Sequence, residues 1–154
     1  MTPVAGTDPI LASGESLRGQ PEPAWDAHDV VEPRRSRTRV LVVDDHRLIA
    51  ETLVEILRNA GFVAEAAYDG WEALGVASRF SPDCVLSDVL MPRMNGVELA
   101  IAIRNKYPAT TILLFSGQAG ISEILQEGQH RGYQFELIPK PIHPLRLIER
   151  LKKG

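Results

Sequence analysis

A chain of 154 residues, 44% hydrophobic and 24% charged, has the make-up of a soluble globular protein with room for one domain and some extra length. A net charge of -3 removes the electrostatic case for a nucleic-acid binder, and no run approaches the roughly 20 apolar residues that a membrane span needs. The single cysteine, Cys84, excludes an intrachain disulfide and fits a reducing, cytoplasmic setting; it lies in an apolar run, so it reads as a packing residue.

Residues 1–38 hold five of the eleven prolines (Pro3, Pro9, Pro21, Pro23, Pro33) and no sustained apolar periodicity. A segment of that kind cannot bury enough surface to offset its ordering entropy, so it reads as a disordered, Pro-rich N-terminal tail. No basic stretch followed by an apolar core opens it, so no signal peptide is expected. Trp25 stands there as an incidental aromatic. Arg34, Arg35, Arg37 and Arg39 form a small basic patch that reads as a solvated linker edge.

From Arg39 the chain alternates. Val40-Leu41-Val42-Val43 is a continuous apolar run, as in a strand buried on both faces, and it ends on Asp44-Asp45-His46. Ile49, Leu53, Ile56, Leu57 and Ala60 fall on one helical face, with Gly61 as the stop. Val63–Ala67 reads as a weaker strand, Asp69-Gly70 as a turn and Trp71–Phe80 as a helix. Ser81-Pro82-Asp83 breaks that helix before a strand over Cys84–Ser87, which ends on the carboxylate of Asp88. Next comes a loop with Pro92 and an Asn95-Gly96 turn signal, then a helix over Val97–Tyr107 stopped by Pro108. Thr111–Phe115 is a β-branched, apolar strand. Ile121, Ile124 and Leu125 begin a helix that ends near Gly132. Phe135–Ile138 is a short strand, and Pro139-Lys140-Pro141 is expected to end regular structure. Pro144–Lys152 is a last helix, with proline at its start and basic residues near its end.

Five strand–helix units in this order predict an α/β fold: a doubly wound, five-stranded parallel sheet with helices on both faces. Right-handed crossovers then gather the C-terminal ends of all five strands on one edge, where ligands of such sheets bind. That edge collects Asp44 and Asp45, Asp88, Ser116 and Lys140. Taken singly, Asp44 and Asp45 read as helix caps, His46 as a helix-start residue, Ser116 as a loop residue and Lys140 as a surface lysine. Their coincidence at strand ends points elsewhere. Three carboxylates held close together repel one another unless a cation intervenes. An all-oxygen acidic site suits Mg2+, which often binds beside a phosphoryl group. A hydroxyl and an ammonium would hold phosphoryl oxygens, and a carboxylate beside the metal can act as a nucleophile.

The motifs that carry this edge are Val40-Leu41-Val42-Val43-Asp44-Asp45, Ser87-Asp88-Val89-Leu90-Met91-Pro92-Arg93-Met94-Asn95-Gly96, Phe115-Ser116-Gly117 and Lys140-Pro141. With them, residues 39–152 resemble the receiver domain of two-component response regulators, a flavodoxin-like fold. The resemblance implies that Asp88 is the phosphoacceptor. It implies that Asp45, Asp88 and the backbone carbonyl of Leu90 bind Mg2+, with Asp44 acting largely through water. Ser116 and Lys140 would bind the phosphoryl group, and Lys140-Pro141 would be a cis bond that aims the lysine. Such a domain is a regulatory phosphoacceptor rather than an enzyme, although it assists its own phosphotransfer and dephosphorylation. Two positions depart from the family pattern. Leu137 stands where an aromatic switch residue is usual, and the segment between Ser116 and Lys140 is glycine-rich.

The expectation is therefore a stand-alone receiver over residues 39–154, since the chain ends at Gly154 straight after the last helix. It would take a phosphoryl group from a sensor histidine kinase or a phosphotransfer protein and signal to a downstream protein by contact. The alternative is a receiver-like interaction module that does not depend on phosphorylation, for which Leu137 leaves room. A flavodoxin-like FMN binder would need a Ser/Thr/Gly-rich phosphate loop in place of Asp44-Asp45-His46. An aspartyl phosphatase would need an Asp-x-Asp pair after the first strand.

Overall fold

The computed structural model describes residues 37–117 and 121–153, and the expected N-terminal tail lies outside them but for Arg37 and Thr38. Strand β1 (Arg39–Val43) alternates by side-chain direction, as any strand must. Val40 and Val42 enter one apolar cluster, Leu41 and Val43 a second. Both clusters are apolar, so β1 has no polar face. That is the physical content of its unbroken apolar sequence.

Helix α1 (Arg47–Asn59) lays Ala50, Leu53, Val54 and Leu57 on the first cluster. Strand β2 (Val63–Ala67) and helix α2 (Gly70–Phe80) follow, and α2 buries Ala73, Val76, Ala77 and Phe80 in the second cluster. Strand β3 (Cys84–Asp88) leads to helix α3 (Gly96–Lys106), and strand β4 (Thr111–Ser116) to helix α4 (Ser122–His130). Strand β5 (Glu136–Pro139) leads to helix α5 (Pro144–Lys153). The strands form one parallel sheet in the order β2-β1-β3-β4-β5. Leu147 and Leu151 of α5 share the cluster of α1, while α3 shares that of α2, so helices cover both faces of the sheet.

Two local expectations are corrected. Asn95-Gly96 is not a free turn but the start of α3. The Asn95 side chain accepts from Glu98 N at 2.9 Å and the Glu98 side chain accepts from Asn95 N at 2.9 Å, a reciprocal capping box. Strand β5 also runs one residue further than expected, to Pro139, paired with Ser116. A proline fits there because β5 has a single neighbour, so its missing N–H breaks no second ladder. Cys84 is buried as expected, and burial pushes its thiol up to about 12.

Candidate functional site

Parallel pairing in register fixes where the strand ends fall. Val43 lies opposite Ser87, Asp88 opposite Phe115, and Ser116 opposite Pro139. The residue after each of these ends is therefore carried to the same edge. Asp44 follows β1, is fully buried, and its N–H donates to Ala67 O at 3.1 Å. Its Oδ1 accepts from His46 N at 2.9 Å. This is a bond to the next turn of chain, not a cap of α1, and no side chain caps that helix. Asp45 is half-buried beside it.

Asp88 closes β3 and is 5% exposed. Its backbone is pinned from two sides. The Val89 N–H donates to Phe115 O at 3.1 Å, and Gly96 N–H donates to Val89 O at 2.8 Å. A side chain on Gly96 could not be placed, because its Cβ would lie 2.2 Å from Asp88 O and 2.9 Å from Val89 Cα. The loop between them is braced further. Arg93 adopts a left-handed backbone, φ 69°, and its guanidinium pairs with Asp69 Oδ2 at 3.2 Å. Met94 packs on Gly70. Asp69 in turn caps α2 through Glu72 N at 2.7 Å.

Lys140 reaches the acids from the sheet edge. Its N–H donates to Ser116 O at 3.2 Å, and the bond to Pro141 is cis. Gly117 lets the two segments meet, since a Cβ there would lie 2.9 Å from Lys140 Cβ. The ammonium passes over the Phe115 ring, 4.9 Å from its centroid. It ends 3.7 Å from Asp44 Oδ2 and 3.6 Å from Asp88 Oδ1. One cation thus stands between two buried carboxylates. Burial, and then the negative charge of Asp44, holds the Asp88 carboxyl above the usual carboxylate range; Lys140 pulls it down, and Asp45 adds to the rise. Ser116 is buried at the same edge.

Asp44, Asp88 and Lys140 therefore meet, with Asp45 beside Asp44 and Ser116 tied to Lys140 through its backbone carbonyl. Leu90, two residues past Asp88, is half-buried in the same loop. Leu137 does not join them. It lies on β5 opposite Leu114 and is 39% exposed. Of the glycine-rich loop, Gln118–Gly120 lie outside the described residues. Sequence reasoning missed the Arg93–Asp69 brace, which joins two loops 24 residues apart with no motif to announce it. It also missed that His46 Nδ1 turns toward both neighbouring acids.

The acid set fits a divalent cation. Asp44 Oδ2 and Asp45 Oδ1 are buried with no hydrogen-bond partner, a costly state for a carboxylate oxygen unless positive charge offsets it. Lys140 already supplies part of that charge.

A parallel doubly wound sheet with acids, a hydroxyl and an ammonium on its C-terminal edge belongs to the class of open α/β domains that bind their ligands at that edge. Comparison gives the family: this chain belongs to the response regulator receiver domain family, which matches residues 40–152. It is similar to the response regulator MprA of Mycobacterium sp. (strain KMS), 35% identical over 114 residues that cover 74% of this chain and 49% of that protein. The chain thus spans about half the length of the curated relatives it matches. Among solved structures it resembles the Vibrio cholerae chemotaxis protein CheY4, with TM-score 0.67 and 34% identity, covering 76% of this chain and 98% of that one. A CheY-like response regulator receiver domain protein from Methanospirillum hungatei JF-1 aligns with TM-score 0.68 at 26% identity, covering 77% and 93%. Among the described residues no helix is long and apolar enough to cross a membrane.

Proposed function

We propose that Asp88 is the phosphoacceptor of this receiver, charged by a sensor histidine kinase or a phosphotransfer protein in the cytoplasm. The resulting change is read by a downstream protein through direct contact. The receiver would comprise residues 39–154, with residues 1–38 outside it. Vibrio CheY4, aligned over 98% of its length, supports a receiver that acts as its own unit.

The observation that carries this reading is the Lys140 ammonium between Asp44 and Asp88 at the sheet edge. One Asp88 oxygen attacks phosphorus. The O–P bond forms as the P–N bond to the donor imidazole breaks, and the imidazole leaves neutral after its ring takes up a proton. Burial strips water from the Asp88 carboxylate before the attack. Lys140 and the Ser116 hydroxyl hold oxygens of the arriving phosphoryl group by charge-assisted hydrogen bonds. Asp44, Asp45, Asp88 and the Leu90 carbonyl would hold Mg2+, an all-oxygen set suited to a hard ion. When bound, the ion supplies positive charge against the carboxylates and the phosphoryl oxygens. The β3 ladder and the Gly96 contact hold Asp88 in place at the sheet edge, which supports this reading.

Intact-mass measurement after mixing the full chain with Mg2+ and a small phosphodonor tests the reading. One acid-labile phosphoryl group is expected on the native chain, none on Asp88→Asn, and none when a chelator replaces Mg2+. Equal labelling of Asp88→Asn would remove the assignment. A folded native chain that takes up nothing would return the phosphorylation-independent interaction module.

A further inference from the structure

Lys140 carries its charge on a flexible four-carbon stem, and an ammonium is a point charge that imposes no orientation of its own. The edge strand fixes only its backbone, through the bond to Ser116 O. The two acids attract the ammonium, but at 3.7 and 3.6 Å they stand further off than the roughly 2.8 Å of a charge-assisted hydrogen bond. A third group meets it. Nζ lies over the Phe115 ring, 4.9 Å from the centroid.

That ring is built to hold still. Phe115 is fully buried. It lies in the apolar cluster with Leu53 of α1 and Leu147 of α5, and close packing leaves it little room to swing. Its backbone belongs to the β3 ladder: it pairs with Asp88 in register, and its carbonyl accepts from Val89 N at 3.1 Å. The residue opposite Asp88 thus carries the aromatic face over which the cation rests. Such a face is negative, and its pull on a cation grows as water is excluded. The Lys140 side chain is only 27% exposed. A leucine at this position would fill much of the same space and would offer the ammonium nothing.

We propose that Phe115 is a positioning residue for phosphoryl uptake: its ring face fixes the Lys140 ammonium where it meets the incoming phosphoryl oxygens. This rests on Asp88 being the phosphoacceptor, and it gives the placement of the cation a second origin. The edge strand delivers the Lys140 backbone, and the core at β4 places its charge. No side chain of β5 supplies such a face, since Glu136, Leu137, Ile138 and Pro139 hold no aromatic ring.

The test replaces Phe115 in the full chain with phenylalanines bearing one, two and three ring fluorines. These keep the shape of the ring and drain negative charge from its face in steps. Intact mass follows phosphoryl uptake from acetyl phosphate with Mg2+, and thermal unfolding checks that the fold is kept. The rate should fall with each fluorine, to about a tenth of the native rate at three. A ring that only fills the core would give a flat series. In the unphosphorylated native chain the ring should also shift the Lys140 ε-methylene protons upfield of those of Lys152 and Lys153, and Phe115→Leu should return them. Either a flat series or unshifted Lys140 protons overturns the proposal. A native chain that takes up nothing overturns the reading of Asp88, and the positioning role with it. Normal uptake by the native chain beside a flat series overturns the role of Phe115 alone.

Discussion

Strands β3 and β5 each send one charged side chain to the same point, under opposite conditions. Every residue of β3 is buried, and the strand lies between β1 and β4. β5 has β4 as its one neighbour, and three of its four residues are exposed. Asp88 therefore inherits its position from the core. Lys140 inherits its position from an edge, through one backbone bond to Ser116 and the close approach at Gly117. A fixed acid and a cation on a looser strand are what a switch needs, because the element that moves should come from the less stable part of the structure. Changes near β3 should act on stability, and changes on β5 on coupling.

The sharpest way to break that comparison is Gly96→Ala. The added Cβ would meet backbone at Asp88 and Val89, not the end of a flexible side chain. Those atoms are held in the central ladder and cannot retreat cheaply. A loss of about 3 kcal/mol is expected, at the upper end of the cost of overpacking. Urea unfolding measures it, and a loss below about 1 kcal/mol would mean that the loop after β3 yields and that Asp88 is not rigidly placed.

A smaller effect separates the strands by the sign of their pH dependence. Asp88 on β3 is held above the usual carboxylate range, chiefly by burial. In the absence of metal its folded form keeps a proton that the unfolded chain has released. Its contribution to stability is thus full below the ordinary carboxylate value and is lost as pH rises through the raised one. Glu136 on β5 is the reverse. Its bidentate contact with Arg150, 2.7 and 2.8 Å at the shortest, holds it below the usual range. Its contribution is present above the ordinary value and lost as pH falls through the lowered one. Measured in a chelator from acid to neutral pH, Asp88→Asn should gain on the native chain as pH rises. Glu136→Gln should fall behind it over the same range, by less than about 1 kcal/mol because the pair is half exposed. Curves for the two variants that shift with the same sign would contradict the comparison.

What could be read from the sequence follows the same division. β1 and β3 were legible because burial on both faces demands continuous apolar residues, and because a carboxylate after such a run is conspicuous. The convergence of Asp44, Asp88, Ser116 and Lys140 followed from parallel topology alone. β5 was less legible: an edge strand answers to one neighbour, so it tolerated Pro139 where a stop was expected. The Asn95-Gly96 pair was ambiguous for a different reason. Asn is favoured both in turns and at helix N-caps, and only Glu98 three residues on decides for the cap. The turn of His46 Nδ1 toward its neighbours was invisible, since a rotamer is not written in a spacing.

The smallest effect on stability belongs to the residue that departs from the receiver pattern. Leu137 is 39% exposed on the edge strand, so Leu137→Ala removes little buried surface. Leucine carries no polar tip and less volume than an aromatic ring, so it offers no hydrogen bond to favour one position of the strand over another. Ser116 is buried, ends β4, and takes the Lys140 N–H on its carbonyl. Ser116→Ala keeps that backbone bond and removes only the hydroxyl that would hold the phosphoryl group. Coupling between sites is reciprocal: if loading Asp88 changes a partner's affinity for the surface of α4, β5 and α5, that partner must change the affinity at Asp88 by the same factor. Amide shifts recorded with Mg2+ and a phosphoryl mimic read that coupling. Ser116→Ala should weaken the response across β5 and α5 more than Leu137→Ala does. Should Leu137→Ala abolish the response while Ser116→Ala leaves it whole, the leucine carries the switch, and the edge strand rather than the end of β4 transmits the signal.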